Sequence, residues 1–292
     1  VASPEKNRHD GNIQNKEAAL RKKNFERVCI LLVVAVMLFS IGYAHAADFG
    51  VGVHGGYGVL KYEENVSRDD TTADKSRATL NTILLGVSGE YTFPQYKNFF
   101  AGIVTDWAVG LKDREEWEKN GEKIQTNDIS TFGQFYDGRL GYKNSIGNLS
   151  YRIYISGGWD GIHFRRKNFV VNGVTDHEAI TEDFSLWRIG GGLGLGYLLG
   201  DKWSLDGRAA YSYYFDGEIR NSSNSGLVFD TNGTCLDAGI GVKREIAHNM
   251  SLYIGGSYTL IDLDESEVVD NFIFPDSRTQ IMAGVVNVTY AF

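Results

Sequence analysis

The feature that most constrains this chain is a two-residue alternation of apolar and polar side chains, repeated in segment after segment of residues 47–292. In its last instance, Gln280–Phe292, the residues Gly284, Val286, Val288, Tyr290 and Phe292 share one phase, and Asn287 and Thr289 the other. A helix would repeat every 3.6 residues, so a period of two means a strand with one greasy face. The first instance sets Phe49, Val51, Val53, Tyr57 and Val59 against Gly50, Gly52, His54, Gly56 and Gly58. The clearest sets Trp203, Leu205, Ala209, Tyr211, Tyr213 and Phe215 against Ser204, Asp206, Arg208, Ser212, Tyr214 and Asp216. Seven more begin near Ile83, Phe99, Ile129, Tyr151, Gly190, Cys235 and Leu252, which makes ten.

The links between them alternate in length. Those at Pro94–Asn98, Asn144–Asn148, Gly200–Lys202 and Ala247–Met250 are short. Those at Glu63–Arg77, Lys112–Asp128, Arg165–Asp183, Gly217–Asn232 and Asp264–Arg278 are long and polar. A soluble sandwich has no reason for this rhythm, whereas an outer-membrane barrel has short periplasmic turns and long outer loops. The pattern predicts an all-β, antiparallel up-and-down transmembrane β-barrel of about ten strands, with eight or twelve if a strand is split or bulged. The barrel is expected as one domain, 47–292, in the outer membrane of a Gram-negative bacterium.

Composition agrees. A mean hydropathy of -0.24 is too polar for a helical membrane protein, while 35 Gly against 3 Pro, with 16 Tyr and 16 Phe, suits crowded barrel walls and aromatic girdles. The net charge of -8 argues against a nucleic-acid partner. Residues 1–46 read as a polar leader and a signal peptide that is removed: Arg21, Lys22, Lys23 and Arg27 form a basic region, Cys29–Ile41 an apolar core, and Ala44 and Ala46 flank the cleavage-site histidine. Removal takes Cys29 with it, so Cys235 is left as a lone, inert, inward thiol.

Charge on the lipid face costs roughly 2–4 kcal/mol at the midplane, so ionisable residues within the strands are expected to face the lumen. These are the acids Glu90, Asp106, Asp137, Asp160, Asp206, Asp237 and Glu245, the bases Arg139, Arg152, Arg188, Arg208 and Lys243, and His54. Such a mixture can neutralise itself, and Tyr154, Tyr214 and Tyr253 take up space, so a packed polar core is expected in preference to a conducting pore. His163 and His177, with Asp176 and Glu178, match no standard metal spacing. No metal and no cofactor are expected.

The final residues, with Tyr290 and Phe292 on one face, resemble the terminal signal that the barrel-assembly machinery reads in bacterial outer-membrane barrels. Ten strands with five long outer links also resemble the omptins, outer-membrane proteases whose rim sets an Asp pair opposite an Asp-His pair. That resemblance implies rim acids Glu115 and Glu116, in Asp113-Arg-Glu-Glu-Trp117, and Asp216, in Asp216-Gly-Glu-Ile219. The chain departs from the omptins in having no histidine two residues after Asp216, so the base of that chemistry is missing. The leading reading is therefore non-enzymatic: a barrel whose surface loops act in contact, adhesion or envelope structure. An omptin-like endopeptidase and a narrow pore are the alternatives. The expected partners are the outer membrane, its lipopolysaccharide and the assembly machinery; a monomer is expected.

Overall fold

The computed structural model describes residues 49–65, 73–223 and 227–292. The expected leader and signal peptide, with Ala44 and Ala46, lie outside the described residues. The strands are β1 (Phe49–Asn65), β2 (Lys75–Thr92), β3 (Phe99–Lys119), β4 (Glu122–Ile146), β5 (Leu149–Val171), β6 (Val174–Asp176), β7 (Ile180–Leu198), β8 (Trp203–Asn221), β9 (Val228–Ala247), β10 (Met250–Leu263) and β11 (Asp276–Ala291). Sequence neighbours pair antiparallel, except that β5 pairs with β7 as well as with the short β6, and β1 pairs with β11 to close the ring. Ten long strands therefore make the wall, as the alternation predicts.

Closure is drawn tight at the chain ends. The Phe292 amide donates to the Phe49 carbonyl at 2.8 Å, and the Phe292 ring lies 5.9 Å from Phe49 and 4.9 Å from Tyr290. Tyr290 and Phe292 are exposed on the outer face. With Tyr91, Phe99, Tyr197 and Trp203 they form an aromatic ring around the end that carries the short turns. A second ring, with Tyr57, Phe132, Trp187 and Phe215, runs nearer the outer end. Between them the outer face is mostly Val, Leu and Ile, with Tyr211 and Tyr213 among them, over the roughly 9–11 residues that a spanning strand needs.

Three of the long links depart from expectation, because most of Lys112–Asp128, Arg165–Asp183 and Gly217–Asn232 is strand. The segment Lys112–Asp128, predicted as a charged loop, is the end of β3 and the start of β4, joined by Asn120-Gly121 with φ of 51° and 78°. These positive φ values make the two-residue hairpin turn that Asn-Gly favours. Asn172-Gly173, at 50° and 80°, turns β5 into β6 in the same way. Above the membrane both faces of a strand meet water or polar neighbours, so the alternation that marks a spanning strand fades there. The register also slips between Gly110 and Asp113 on β3 and between Tyr214 and Gly217 on β8, and each bulge shifts which phase faces inward.

Inside the membrane span the inward phase is the polar one. The glycines of β7 leave room for large neighbours: a Cβ at Gly192 would collide with the Tyr154 ring, and one at Gly194 with the Arg152 stem. That is why β7 alternates glycine with leucine.

Candidate functional site

From the short-turn end outward, the lumen divides into four layers. The first is an open charged mouth. Glu90 accepts from Lys143 at 2.7 Å and from Arg152 at 3.0 Å, and Asp206 accepts from Ser204 at 2.5 Å. Lys243 and Glu245 are exposed at this end.

The second layer is a pocket of about 100 Å³ whose walls include His54, Asp106, Asp137, Arg139, Asp160, Arg188, Arg208 and Asp237. His54 pairs with Asp106 directly above Gly86, where a Cβ would strike both. Arg188 reaches Asp160 at 3.1 Å and Asp137 at 3.5 Å. The Tyr214 hydroxyl donates to Asp160 at 2.5 Å, Arg139 Nε to Asp137 at 2.5 Å and Thr259 to Asp237 at 2.7 Å. Cys235 is a buried free thiol on this wall.

The third layer departs from the expectation of a polar core throughout. It is an apolar plug of Leu60, Leu80, Ile129, Ile162, Phe164, Phe184, Leu186, Ile219, Phe229 and Ile261, all buried. Phe274 seals it from the β10–β11 connection, edge-on to Phe184 at 5.5 Å and tilted against Phe229 at 6.2 Å. Ser266 pins that connection: its hydroxyl accepts from the Phe274 amide at 2.8 Å, and its own amide donates to the Phe274 carbonyl at 3.0 Å.

The fourth layer is a buried ion cluster beyond the upper aromatic ring. Arg166 is 2% exposed and faces three carboxylates. Its Nε donates to Glu115 at 2.7 Å, one terminal nitrogen donates to Glu64 at 2.8 Å, and the other pairs with Glu182. Each acid is held again from outside: Glu115 by Ser76 at 3.2 Å and Asn127 at 2.7 Å, Glu64 by Tyr62 at 2.6 Å, and Glu182 by Asn221 at 2.9 Å. Trp117 fixes Asn127 through its ring nitrogen at 2.7 Å. Burial alone would drive the Arg166 guanidinium down, but the three carboxylates outweigh it and hold it well above its ordinary range.

One cation cannot neutralise three carboxylates, so a proton makes up part of the balance. Burial, with Glu182 and Glu115 adding to it against the pull of Arg166, raises the Glu64 carboxyl to about 7. Burial and then Glu64 raise the Tyr62 hydroxyl in turn. The folded state therefore binds more protons here than the unfolded chain, whose value is 4.5. The stability from Glu64 is full below pH 4.5 and is lost as pH rises through about 7. Thermal unfolding in detergent micelles should show that decline, worth at most about 3 kcal/mol, and Glu64→Gln should flatten it.

The acids implied by the omptin resemblance are dispersed. Glu115 is fully buried in the Arg166 cluster, with both oxygens engaged. Glu116 is paired with Lys123 at 2.9 Å near the β3–β4 hairpin. The alternation puts Asp216 on the inward phase of its strand, but the bulge in β8 holds it at φ 52° and exposed. His163 accompanies none of them: it faces outward and meets Asp183 at 2.8 Å. His177 meets Asn168 at 3.0 Å. Among the described residues no three His, Cys, Asp or Glu side chains are grouped to hold a metal. Sequence reasoning misses Arg166 because Arg165-Arg166-Lys167 reads as a solvated loop; the inward phase of Asp160, Ile162 and Phe164, carried two residues further, points to it.

A solved structure shows the same kind of wall. The outer membrane protease OmpT from Escherichia coli superposes with a TM-score of 0.64 at 9% identity, covering 85% of this chain and 98% of that one. The transport unit of the autotransporter AIDA-I from Escherichia coli gives 0.42 at 12% identity, over 84% of this chain and 90% of that one. A major outer membrane protein from Thermus thermophilus gives 0.40 at 15% identity, over 85% and 100%. At 9% identity the likeness to OmpT concerns the fold alone. No curated protein matches the sequence. The model of the outer membrane protein beta-barrel domain matches residues 31–233, more than half of the chain, and the chain belongs to that family.

Proposed function

We propose that this outer-membrane barrel is a surface-contact protein, neither a conducting pore nor a hydrolase, whose strand extensions and outer hairpins meet partners outside the cell. The observation that carries this reading is the sealed mouth. Apolar plug and ion cluster fill the outer lumen, while the wall continues outward to a hairpin tip with Val171 43% and Val174 72% exposed. Apolar side chains held at the far end of a stiff hairpin favour a contact role. On this reading its partners are the membrane with its lipopolysaccharide and the assembly machinery that reads Tyr290 and Phe292, and it works as a monomer.

The omptin-like alternative needs carboxylates beside an imidazole over an open groove. Glu115 is locked against Arg166, and His163 lies on the outer face with Asp183. Two assays separate the readings. Cells displaying the barrel should adhere to immobilised extracellular proteins or host cells more than barrel-less cells, and Val171→Ser with Val174→Ser should lower adherence several-fold. Refolded protein with lipopolysaccharide should leave peptide substrates uncleaved, with Asp216→Ala indistinguishable from wild type. Cleavage that Asp216→Ala abolishes would overturn the contact reading in favour of the protease.

A further inference from the structure

We infer that the second layer of the lumen is a binding site for a small zwitterion of the α-amino-acid class, reached from the periplasmic end. It is independent of the outer contact surface. The pocket, about 100 Å³, is several times the roughly 10–15 Å³ that one water requires. Exposure grades along the barrel in one direction: Arg152 in the mouth is 48% exposed as a side chain, whereas Leu80, Ile129 and Leu186 in the plug are at 0%. The lumen is thus a blind pocket, open only where short turns face the periplasm.

Two unmet needs of opposite sign line it. Asp137 is 5% exposed. Its Oδ2 accepts from Arg139; its Oδ1, ion-paired with Arg188 at 3.5 Å, is buried and accepts no hydrogen bond. A buried acceptor left unsatisfied costs about 1–3 kcal/mol, so a donor from an occupant is favoured there. Arg208 lines the same pocket, and among the described residues no carboxylate pairs with its guanidinium. That fork is suited to a carboxylate.

The charge balance excludes simpler ligands. Asp106, Asp137, Asp160 and Asp237 stand against Arg139, Arg188 and Arg208, with His54 on Asp106. The field is close to neutral, so a lone cation meets three guanidiniums and a lone anion meets four carboxylates. A molecule with an ammonium for Asp137 and a carboxylate for Arg208 satisfies both.

Calorimetric titration of the refolded barrel in detergent micelles with glycine tests this, with acetate and methylammonium as single-ended controls. Glycine should bind saturably in the millimolar range or tighter, each control about tenfold more weakly or worse, and Arg208→Gln should weaken glycine about tenfold. Arg208 lines the lumen with no carboxylate partner, so its replacement should leave the fold intact, to be checked by heat-modifiable migration. Asp137→Asn should also weaken glycine; if it fails to fold, the wild-type ligand series decides. Absence of saturable glycine binding by folded wild type overturns the proposal. So does acetate binding as tightly as glycine, which would make Arg208 a simple anion site.

Discussion

Arg166→Leu is expected to destabilise the barrel by about 3–5 kcal/mol at alkaline pH, the range for removing one partner of a buried charge network. The replacement leaves Glu64, Glu115 and Glu182 inside the wall with no cation. Each must then be protonated or hydrated, and neither is easy for side chains held by Ser76, Asn127, Tyr62 and Asn221. The loss should therefore shrink toward acid, where protons substitute for the guanidinium. Denaturant midpoints in detergent, taken at about pH 4 and about pH 8, measure both the size and the slope. Glu64→Gln combined with Glu182→Gln in the Arg166→Leu background should recover part of the loss. A destabilisation under about 1 kcal/mol, independent of pH, would mean that the cluster is hydrated and holds nothing together.

Phe274→Ala should act locally. Truncating a buried Phe costs about 3–5 kcal/mol, and here the ring is the part of the β10–β11 connection that enters the plug against Phe184 and Phe229. With the ring gone, the hydrogen bonds between Ser266 and residue 274 remain, but the apolar anchor is reduced to the partly buried Val269. The wall strands keep their ladders, so the cost should appear as opening of residues 264–275 and not as loss of the barrel. Cleavage by a glutamyl endopeptidase at Glu265 and Glu267 reads that opening, and its rate should rise by at least about 100-fold. An unchanged rate would show that the connection is held by other contacts.

The spanning part of the wall is legible in the sequence because lipid enforces the alternation. Leu205, Tyr211 and Tyr213 must face lipid while Asp206, Ser212 and Tyr214 do not, and one slip would invert them all. Beyond the upper aromatic ring that enforcement ends. Lys112-Asp113-Arg114-Glu115-Glu116 carries charge on both phases, and the bulge after Gly110 moves Glu115 and not Glu116 inward. The bulge on β8 defeats the alternation at Asp216 for the same reason. The lower lumen follows from residue type, since Asp137, Arg139, Asp160 and Arg188 sit where charge within a span must sit. The plug does not, because Ile162, Phe164, Phe184 and Leu186 are apolar on the inward phase. Only the three-dimensional ring brings them together with Phe274 from a distant connection. Arg166 likewise finds two of its three acids, Glu115 and Glu64, 51 and 102 residues away, separations that no local pattern encodes.

Single-channel recording of the refolded wild-type barrel in a planar bilayer tests the closed lumen most directly. With plug and ion cluster both in place, insertion should produce no unitary current steps above the bare bilayer at neutral pH. Reproducible ohmic steps from folded wild-type protein would contradict the sealed mouth, and with it the assignment of this barrel to surface contact.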